Sequence, residues 1–375
     1  MWVHEYQVKE LLRQYGVPVP AGIAVFSMQE AIEAAQKLGG QNWHVKVQVL
    51  SKKPGEYGQV VKSLEELRKQ VNQFLGEPFL GELGGGIVSE KKVRRLLIEE
   101  SVDVERTYSF SIAVDYDQGK PFISFGEEDE KKHFRADVDV LKELPLVQIR
   151  NLVDHLDVPE EEAAQIAEIG QQLYAIYQTT DAILLDVTMG LVKSRGRVEV
   201  IDSLVCFDDN ALFRQPRISV LRDLDEENPN ELEASLYNMR YTDFRGNIGC
   251  LTNGTGTAAV LLDMFKYAGK EPANFVSMEG VITEERMTAA FEIMQKNKEM
   301  RVILINMVSE VFSCDVIAGC IVNAYKSLNL RKPLVVRLKG IGEIEGVQVL
   351  KTSGLTINLA DKLIETVEKS IALGG

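Results

Sequence analysis

The chain has 375 residues, of which 45% are hydrophobic and 26% are charged. This is an ordinary globular composition, and at about 100–200 residues per domain the length predicts two or three domains. The formal net charge of −14 makes the surface repel phosphate backbones, which argues against nucleic acid as a partner. No apolar run approaches the roughly 20 residues that span a bilayer, and no signal-peptide pattern opens the chain. We therefore expect a cytoplasmic protein with no membrane segment.

The cysteines give no sign of a metal site. The chain has four of them, and none lies in a CxxC pair. That spacing predicts reduced thiols in the core rather than zinc ligands. The four are Cys206, Cys250, Cys314 and Cys320.

The first half of the chain mixes predicted helices with predicted hairpins. Helical periodicity covers residues 4–15, 28–38, 63–75, 146–156 and 159–178. Alternating patterns predict strands at 43–50 and 93–100, with a turn-rich connection at 51–60, and hairpins at 108–128 and 182–205. The pattern predicts α+β layers up to about residue 210.

After about residue 240 short apolar strands alternate with helices. The strands are predicted at 246–252, 274–279, 300–307 and 332–338, and the helices at 283–296, 314–327 and 342–352. That alternation indicates a parallel sheet with right-handed crossovers. We expect the boundary in the polar segment 217–242, which gives domains of residues 1–235 and 236–375.

Ligands of parallel sheets bind at the carboxyl ends of the strands. There the turn beginning at Asn253 has two glycines, which suits either a phosphate cradle or a tight strand-to-helix turn. The next two turns carry Glu279 and Glu310. A carboxylate about 4 Å from a phosphate charge costs on the order of 4 kcal/mol, although both acids could simply stabilise helix N-termini.

In the first half, oxygen-bearing side chains fall on two strands predicted to pair. Asp186, Thr188 and Asp202 could hold Mg²⁺ through oxygen ligands, or the two acids could be solvated. Lys46 lies on a valine-rich strand and could neutralise nucleotide phosphates or extend to solvent. The four histidines, at 4, 44, 133 and 155, have no partners at catalytic or metal-ligand spacing.

Several stretches make the chain resemble the β subunit of succinyl-CoA synthetase (succinate–CoA ligase) along nearly its whole length. They are HEYQVKELLRQYGVPVPAG at the start, VKVQV at 45–49, DNALFRQP at 209–216, GNIGC at 246–250, GKEPANF at 269–275 and VVRLKG at 335–340. The resemblance implies an α/β fold, with an N-terminal ATP-grasp domain followed by a flavodoxin-like parallel-sheet domain.

The resemblance also implies a partner and a chemistry. In that family the β subunit pairs with an α subunit that carries the CoA site and a phosphorylated histidine. It further implies that Lys46 and Glu99 contact nucleotide, Asp202 binds the metal and Asn253 contacts substrate. If the site survives, ATP and Mg²⁺ are the implied cofactors, and otherwise there are none.

The departures from the family pattern fall in the functional loops of the first domain. Pro54 lies where a glycine-rich loop covers the phosphates, and EEDEKK at 127–132 replaces an EGGVEIE-like segment. DVTMGLV at 186–192 replaces EINPLV, is one residue longer and lacks its metal-binding Asn. Leu204 replaces a lysine.

The second domain departs in the same way. Glu279 lies in a former GGG turn, and Glu310 in a former GGIVR segment whose Arg is replaced by Ser313. In the family that Arg helps to hold the substrate carboxylate beside the phosphohistidine. Ile341 and Gly342 replace a pair of asparagines.

Three hypotheses follow. The first is a β-like subunit that has lost most ATP-dependent catalysis and acts by binding an α-like partner. The second is a working acid–thiol ligase with a rearranged nucleotide site. The third is a sensor that binds a nucleotide or small anion without turnover. The simultaneous loss of three phosphate-facing loops favours the first.

Overall fold

The computed structural model describes residues 1–50, 58–83, 87–127, 133–139 and 146–374, without the side chains of residues 80–90. The chain forms two compact units, Met1–Glu226 and Glu227–Gly375. The expected division after residue 235 lies a short way into the second unit.

The first unit is built from two antiparallel sheets, a separate hairpin and six helices among its described residues. The four-stranded sheet has the order β1-β6-β2-β3, the five-stranded sheet has the order β11-β10-β7-β8-β9, and β4 pairs with β5. The helices are α1 (Glu5–Gln14), α2 (Met28–Leu38), α3 (Leu64–Phe74), α4 (Leu146–Val153), α5 (Glu160–Thr179) and α6 (Pro216–Ser219). The strands are β1 (Gly22–Val25), β2 (Trp43–Val47), β3 (Gly58–Val61), β4 (Pro78–Leu83), β5 (Ile87–Lys92), β6 (Leu96–Glu100), β7 (Val104–Asp115), β8 (Lys120–Glu127), β9 (His133–Asp137), β10 (Ala182–Val192) and β11 (Arg197–Phe207).

Strand β10 shows how the five-stranded sheet separates its core from its outer face. Leu185, Val187 and Met189 are buried in the same core cluster as the α5 side chains Ile166 and Leu173. Side chains of a strand alternate between its two faces. Asp186 and Thr188 therefore lie on the opposite face, and the alternation that marked this segment as a strand also places its polar residues.

The second unit is a parallel sheet with one antiparallel edge strand. Its order is β12-β14-β13-β15-β16-β17, and only β12 runs antiparallel to its neighbour. The helices are α7 (Pro229–Leu236), α8 (Thr255–Tyr267), α9 (Glu284–Gln295), α10 (Cys314–Ser327), α11 (Glu343–Thr352) and α12 (Leu363–Gly374). The strands are β12 (Met239–Asp243), β13 (Ile248–Thr252), β14 (Asn274–Met278), β15 (Val302–Ser309), β16 (Leu334–Gly340) and β17 (Ile357–Leu359).

Both faces of this sheet are buried. Along β15, Val302 and Leu304 belong to one apolar cluster, whereas Ile303 and Ile305 belong to another. A strand covered on both faces has a continuous rather than an alternating apolar run. That explains why residues 302–307 contain almost no polar side chain.

Two of the family-like stretches contact each other. The Gly246 amide donates to the Pro272 carbonyl at 2.8 Å, and the Phe244 amide donates to the Ala273 carbonyl at 2.9 Å. A Cβ at Gly246 would collide with the Glu271 carbonyl. The glycine is therefore required for this close approach of two backbone segments.

The α/β fold class and both predicted hairpins are confirmed, with β7 pairing with β8 and β10 with β11. Sequence reasoning missed α8 and α12, and it missed the strands β4, β5 and β9. Residues 58–60, which were predicted to belong to a turn-rich connection, lie in β3, which begins at Gly58, and residues 51–57 of that prediction lie outside the described residues.

Two further expectations concern the cysteines and the membrane. All four cysteines are free, three are buried and Cys320 is half-buried. Within the described part of the chain, no helix is long and apolar enough to cross a bilayer.

Candidate functional site

The centre of the first unit holds a cluster of four charged side chains. Glu5 and Lys9 are one turn apart on α1, on the face that also buries Val8 and Leu12. Lys46 comes from β2 and Glu99 from the neighbouring β6. All four side chains are at most 4% exposed. We call these four residues the ion network.

The ion network is closed by short contacts between opposite charges. Lys46 Nζ lies 2.6 Å from Glu5 Oε1 and 3.2 Å from Glu99 Oε2. Lys9 Nζ lies 2.8 Å from Glu5 Oε1 and 2.6 Å from Glu99 Oε1. Each ammonium also donates to the Ile201 carbonyl at 2.8 Å. The four charges sum to zero, and Lys46 does not extend to solvent.

A β-bulge makes the Ile201 carbonyl available to both lysines. Thr188 on β10 is opposite Asp202, but the next residue, Met189, is opposite Val200. Ile201 is therefore the extra residue of β11 and has no partner across this ladder. A bulged residue leaves the ladder locally disrupted, and here its carbonyl accepts two ammonium donors instead.

The ion network shifts the acidity of its members. Burial alone would raise the pKa of Glu5, but the ammonium groups of Lys46 and Lys9 outweigh it and hold that pKa at about 2. Burial alone would lower the pKa of Lys46, but the carboxylates of Glu5, Glu99 and Asp202 raise it well above its usual range. Burial and the nearby Lys46 charge lower the pKa of His44 to about 4. His44 is therefore neutral at physiological pH.

Three oxygen-bearing side chains share the outer face of the β10–β11 pair. Thr188 is directly opposite Asp202 in the register, and Asp186 is opposite Leu204. Ser111 Oγ donates to Asp186 Oδ1 at 2.5 Å. The face thus combines two carboxylates and a hydroxyl with one apolar side chain, Leu204, beside Asp186.

The donor chemistry of this face fits Mg²⁺, which prefers carboxylate and other oxygen ligands. Burial, followed by the Glu5 charge, raises the pKa of Asp202 to about 6, against the opposing effect of Lys46 and Lys9. A bound cation would relieve that unfavourable charge. Asp202, Asp186 and Thr188 are the residues that would hold it, and Mg²⁺ would neutralise phosphate charge there.

A cavity of about 800 Å³ lies beside α1. Its lining includes Tyr6, Lys9 and Arg13 from the helix, and Leu97 and Arg217 from elsewhere in the first unit. Neither Lys46 nor the two strand aspartates contribute to it. This cavity therefore does not coincide with the predicted nucleotide site.

At the carboxyl edge of the second unit, the side chain of Asn253 is occupied. Its Nδ2 donates to the Val308 carbonyl at 2.5 Å, and its Oδ1 accepts from the Val308 amide at 2.8 Å. The amide group thus joins the ends of β13 and β15. This structural role accounts for an asparagine at 253 without a substrate.

The N-terminus of α10 is occupied as well. The Cys314 amide donates to the Ile341 carbonyl at 2.7 Å. Ser313 Oγ donates to Asp315 in the first turn of the helix, and this bond lowers the pKa of the Asp315 carboxyl. An anion approaching here would meet a carboxylate and lose one of its backbone donors.

The two glutamates of this edge lie near the surface. Glu279 forms an ion pair with Arg240 at 3.6 Å, with both side chains substantially exposed. Glu310 is exposed and follows directly after β15. The carboxyl edge therefore presents negative charge in place of a phosphate cradle.

The same edge exposes an apolar surface. Its members follow or end the strands β14, β15 and β16, and we call them the carboxyl-edge patch. They are Val281 (54% exposed), Val308 (42%), Val311 (80%), Ile341 (57%) and Ile344 (81%).

The structure brings Lys46 and Glu99 together, with Asp202 close enough to affect the Lys46 charge. Pro54 and residues 128–132 lie outside the described residues. Sequence reasoning missed Glu5, Lys9 and the Ile201 carbonyl. The i,i+4 spacing of Glu5 and Lys9 was the available signal, but nothing local showed that the pair is buried. The sequence showed no partner for His4 at catalytic or metal-ligand spacing, and in the structure its Nε2 lies 2.9 Å from the distant Asp223 Oδ2.

The fold and the family models define the class of protein. Residues 2–189 match the ATP-grasp domain model, and residues 251–371 match the CoA-ligase model. The structure resembles that of an ATP citrate lyase from Methanothrix soehngenii, solved with citrate and coenzyme A, with a TM-score of 0.74, 19% identity and 99% coverage of both chains. The chain thus has the two-domain architecture of CoA ligases.

Curated relatives narrow the class to one family. The chain is 41% identical to the β subunit of the ADP-forming succinate–CoA ligase of Delftia acidovorans. It is 40% identical to the corresponding subunits of Albidiferax ferrireducens and Bordetella avium. Each alignment covers 99% of both proteins. The chain belongs to the succinate–CoA ligase β-subunit family.

We expect Glu5→Gln to destabilise the first unit by about 3–5 kcal/mol, because it leaves two buried ammonium groups with one carboxylate. Urea unfolding followed by tryptophan fluorescence measures the change. Glu10→Gln on the same helix is the matched control: Glu10 is 63% exposed and pairs with Arg13 at the surface, so its loss should cost less than about 1 kcal/mol. Equal costs for the two variants would contradict the ion network.

We expect Asp202→Asn to stabilise the protein more at pH 8 than at pH 5. The folded pKa of Asp202, about 6, lies above its ordinary value, so wild-type stability falls as the pH rises through 6, and the variant lacks this loss. The full shift from 3.8 to about 6 corresponds to about 3 kcal/mol at 1.36 kcal/mol per pKa unit. About half of that is already lost at pH 5, because the unfolded carboxyl is ionised there, so the expected difference between pH 5 and pH 8 is about 1–2 kcal/mol.

Urea unfolding at the two pH values measures this difference. Asp103→Asn serves as the control, since Asp103 is 75% exposed and pairs with Lys193 at the surface. A gain for Asp202→Asn that does not depend on pH would show that the carboxylate is not destabilised in the folded protein.

Proposed function

We propose that this chain is a β-type component of a CoA ligase that associates with an α-type subunit and has lost most ATP-dependent catalysis. The observation that carries the proposal is the N-terminus of α10, where Ser313 replaces the family's arginine and is bonded to Asp315, and where the Cys314 amide is bonded to Ile341. The ion network, whose four residues lie at family-like positions, adds to it. Lys46, the residue that the family resemblance assigns to the nucleotide, is buried and already bonded to two carboxylates and a carbonyl.

The energetics of the ion network support weak nucleotide binding. To reach Lys46, a phosphate must replace Glu5 and Glu99, which leaves those buried carboxylates short of a partner. Breaking a buried ion pair costs about 3–5 kcal/mol. That cost weakens affinity by a hundredfold to several thousandfold.

The second unit supports the same proposal independently. In the family, the segment that includes Ser313 faces the phosphohistidine, and its arginine helps to hold the substrate. Here the helix N-terminus carries Asp315, and its first amide is bonded to Ile341. Removing one transition-state donor costs roughly 10²–10³ in rate. With the arginine replaced and the first helix amide already bonded, we expect phosphoryl transfer at this site to be slow.

The carboxyl-edge patch is the surface to which we assign the α-type partner. Its five aliphatic side chains are flanked by acidic residues, including Glu310 and Glu345, which are exposed. An apolar surface with an acidic border fits a partner surface with an apolar centre and a basic border. Association can therefore persist after the phosphate chemistry is lost.

A second candidate is a working ligase with a rearranged site. The observation that favours it is the face carrying Asp186, Thr188 and Asp202, whose oxygen donors suit Mg²⁺. Under this candidate, Lys46 would exchange Glu5 and Glu99 for phosphates when nucleotide arrives.

Nucleotide binding and turnover separate the two candidates. We expect calorimetry with ATP and Mg²⁺ to show a Kd weaker than about 1 mM. With succinate, CoA and a co-purified α-type subunit, we expect thioester formation at least about 10³-fold slower than with a relative's β subunit in the same assay. The relative's subunit is the positive control for the α-type partner and the substrates. Micromolar ATP binding, or comparable turnover with no other β-type chain present, would overturn the proposal.

We expect Val311→Glu and Ile344→Glu each to weaken binding of the α-type subunit at least tenfold, because each adds a charge to the apolar centre of the patch. Co-elution in size-exclusion chromatography, followed by titration, measures the affinity. Tyr267→Glu is the control, since Tyr267 is 95% exposed at the end of α8, on the opposite edge of the sheet. Unchanged binding by both patch variants would remove the patch as the interface.

A further inference from the structure

A second polar cluster lies at the start of α1, separate from the ion network. His4 Nε2 is 2.9 Å from Asp223 Oδ2 and 3.8 Å from Glu226 Oε1. The three atoms lie within 4.8 Å of one another, and within the described ranges no other group of three His, Cys, Asp or Glu residues does so. All three residues belong to the first unit.

Local backbone structure explains why the side chains of His4, Asp223 and Glu226 lie close together. Residues 224–226 form a 3₁₀ turn, in which side chains three positions apart lie on the same side. Asp223 and Glu226 therefore point the same way. His4 immediately precedes α1 in extended conformation, which places its ring opposite them.

The cluster contains buried polar atoms that no protein group satisfies. Glu226 Oε1 and His4 Nδ1 are both buried without a hydrogen-bond partner. The side chains of His4 and Glu226 are 0% and 4% exposed. Glu226 Oε1 faces the imidazole at a distance too long for a hydrogen bond. An unsatisfied carboxylate oxygen so placed is a position that an ion or a water can fill.

The His4–Asp223 distance is that of a hydrogen bond, and both distances are also compatible with a shared metal ion. Zinc lies about 2.0–2.2 Å from imidazole nitrogen and carboxylate oxygen, so ligand atoms around it are about 3.4 Å apart. The separations of 2.9 and 3.8 Å bracket that value. The other carboxylate oxygen of Glu226 holds the side chain in place: Oε2 accepts from the Leu50 amide at 2.8 Å and from Lys91 Nζ at 3.2 Å.

Two positively charged side chains, Arg95 and Lys91, contact the cluster and affect how strongly it could bind a cation. Arg95 lies 2.6 Å from Asp223 Oδ2, the oxygen that would face the metal. Its guanidinium also lies over the Phe26 ring. Lys91 contacts the outer oxygen of Glu226 and does not compete for Oε1. Arg95 is therefore the direct competitor of a bound cation.

We propose that His4 Nε2, Asp223 Oδ2 and Glu226 Oε1 bind one divalent metal ion of the zinc class. Imidazole nitrogen and carboxylate oxygen are both established zinc ligands. The ion joins the first turn of α1 to residues 223–226. Since Glu5 follows His4 directly, the bound metal also fixes the helix that carries the ion network.

The test uses the full chain after chelator treatment and dialysis. We expect calorimetry with Zn²⁺ to show one ion per chain, and the melting temperature to rise with Zn²⁺ concentration. Co²⁺ should give the visible absorption of a site with nitrogen and oxygen ligands. A thiolate-to-cobalt charge-transfer band would place the ion on a cysteine and overturn the proposal.

Variants identify the ligands. We expect Glu226→Gln, which keeps the shape of the side chain, to weaken Zn²⁺ binding at least tenfold, and His4→Ala to abolish it. Arg95→Gln should tighten binding at least tenfold, because it removes the competing charge. This gain in affinity cannot arise from misfolding.

Two neighbours serve as controls. Asp225→Asn changes an exposed acid beside the cluster that pairs with Arg94. His155→Ala removes an exposed histidine elsewhere in the first unit. Neither should change Zn²⁺ affinity. Absence of stoichiometric Zn²⁺ binding, or binding unaffected by both Glu226→Gln and Arg95→Gln, would overturn the proposal.

Discussion

The first unit depends on the neutralisation of two buried lysines by two buried glutamates. Charges removed from water are tolerated only when they are paired and hydrogen-bonded. Lys46 meets this requirement through Glu5, Glu99 and the Ile201 carbonyl. The arrangement stabilises the meeting point of α1, β2, β6 and β11, but it also uses the positive charge that a nucleotide would need. The ammonium group that the family resemblance assigns to the nucleotide therefore has a structural role in this protein.

In the second unit, too, polar groups at the expected ligand site are bonded to other groups of the protein. Strand order and crossovers preserve the edge where parallel sheets bind ligands, yet its polar groups are bonded to one another. Asn253 joins two strand ends, and Ser313 is bonded to Asp315. What remains exposed at this edge is aliphatic and acidic. The two-domain architecture of a CoA ligase is retained, and several polar groups of this edge are bonded to other groups of the protein.

Much of the fold could be predicted from the sequence, whereas the site could be predicted only in part. Periodicity gave α2 and α10 the bounds that the structure has, because their apolar faces meet a core. The family-like residues Lys46 and Glu99 were found by resemblance. Their partners Glu5 and Lys9 were missed, and so was the contact of His4 with Asp223, because pairing across 219 positions leaves no local signal.

The bulge at Ile201 constrains how this site can change. The ammonium groups of Lys9 and Lys46 both donate to the main-chain carbonyl of residue 201. Any amino acid at this position has the same carbonyl. Point substitution at this position therefore cannot delete the acceptor, whereas an insertion or deletion that alters strand pairing in the β10–β11 hairpin can withdraw it from both lysines at once. Hairpin length thus controls the one partner of Lys46 that side-chain composition cannot remove, whereas Glu5 and Glu99 remain open to substitution.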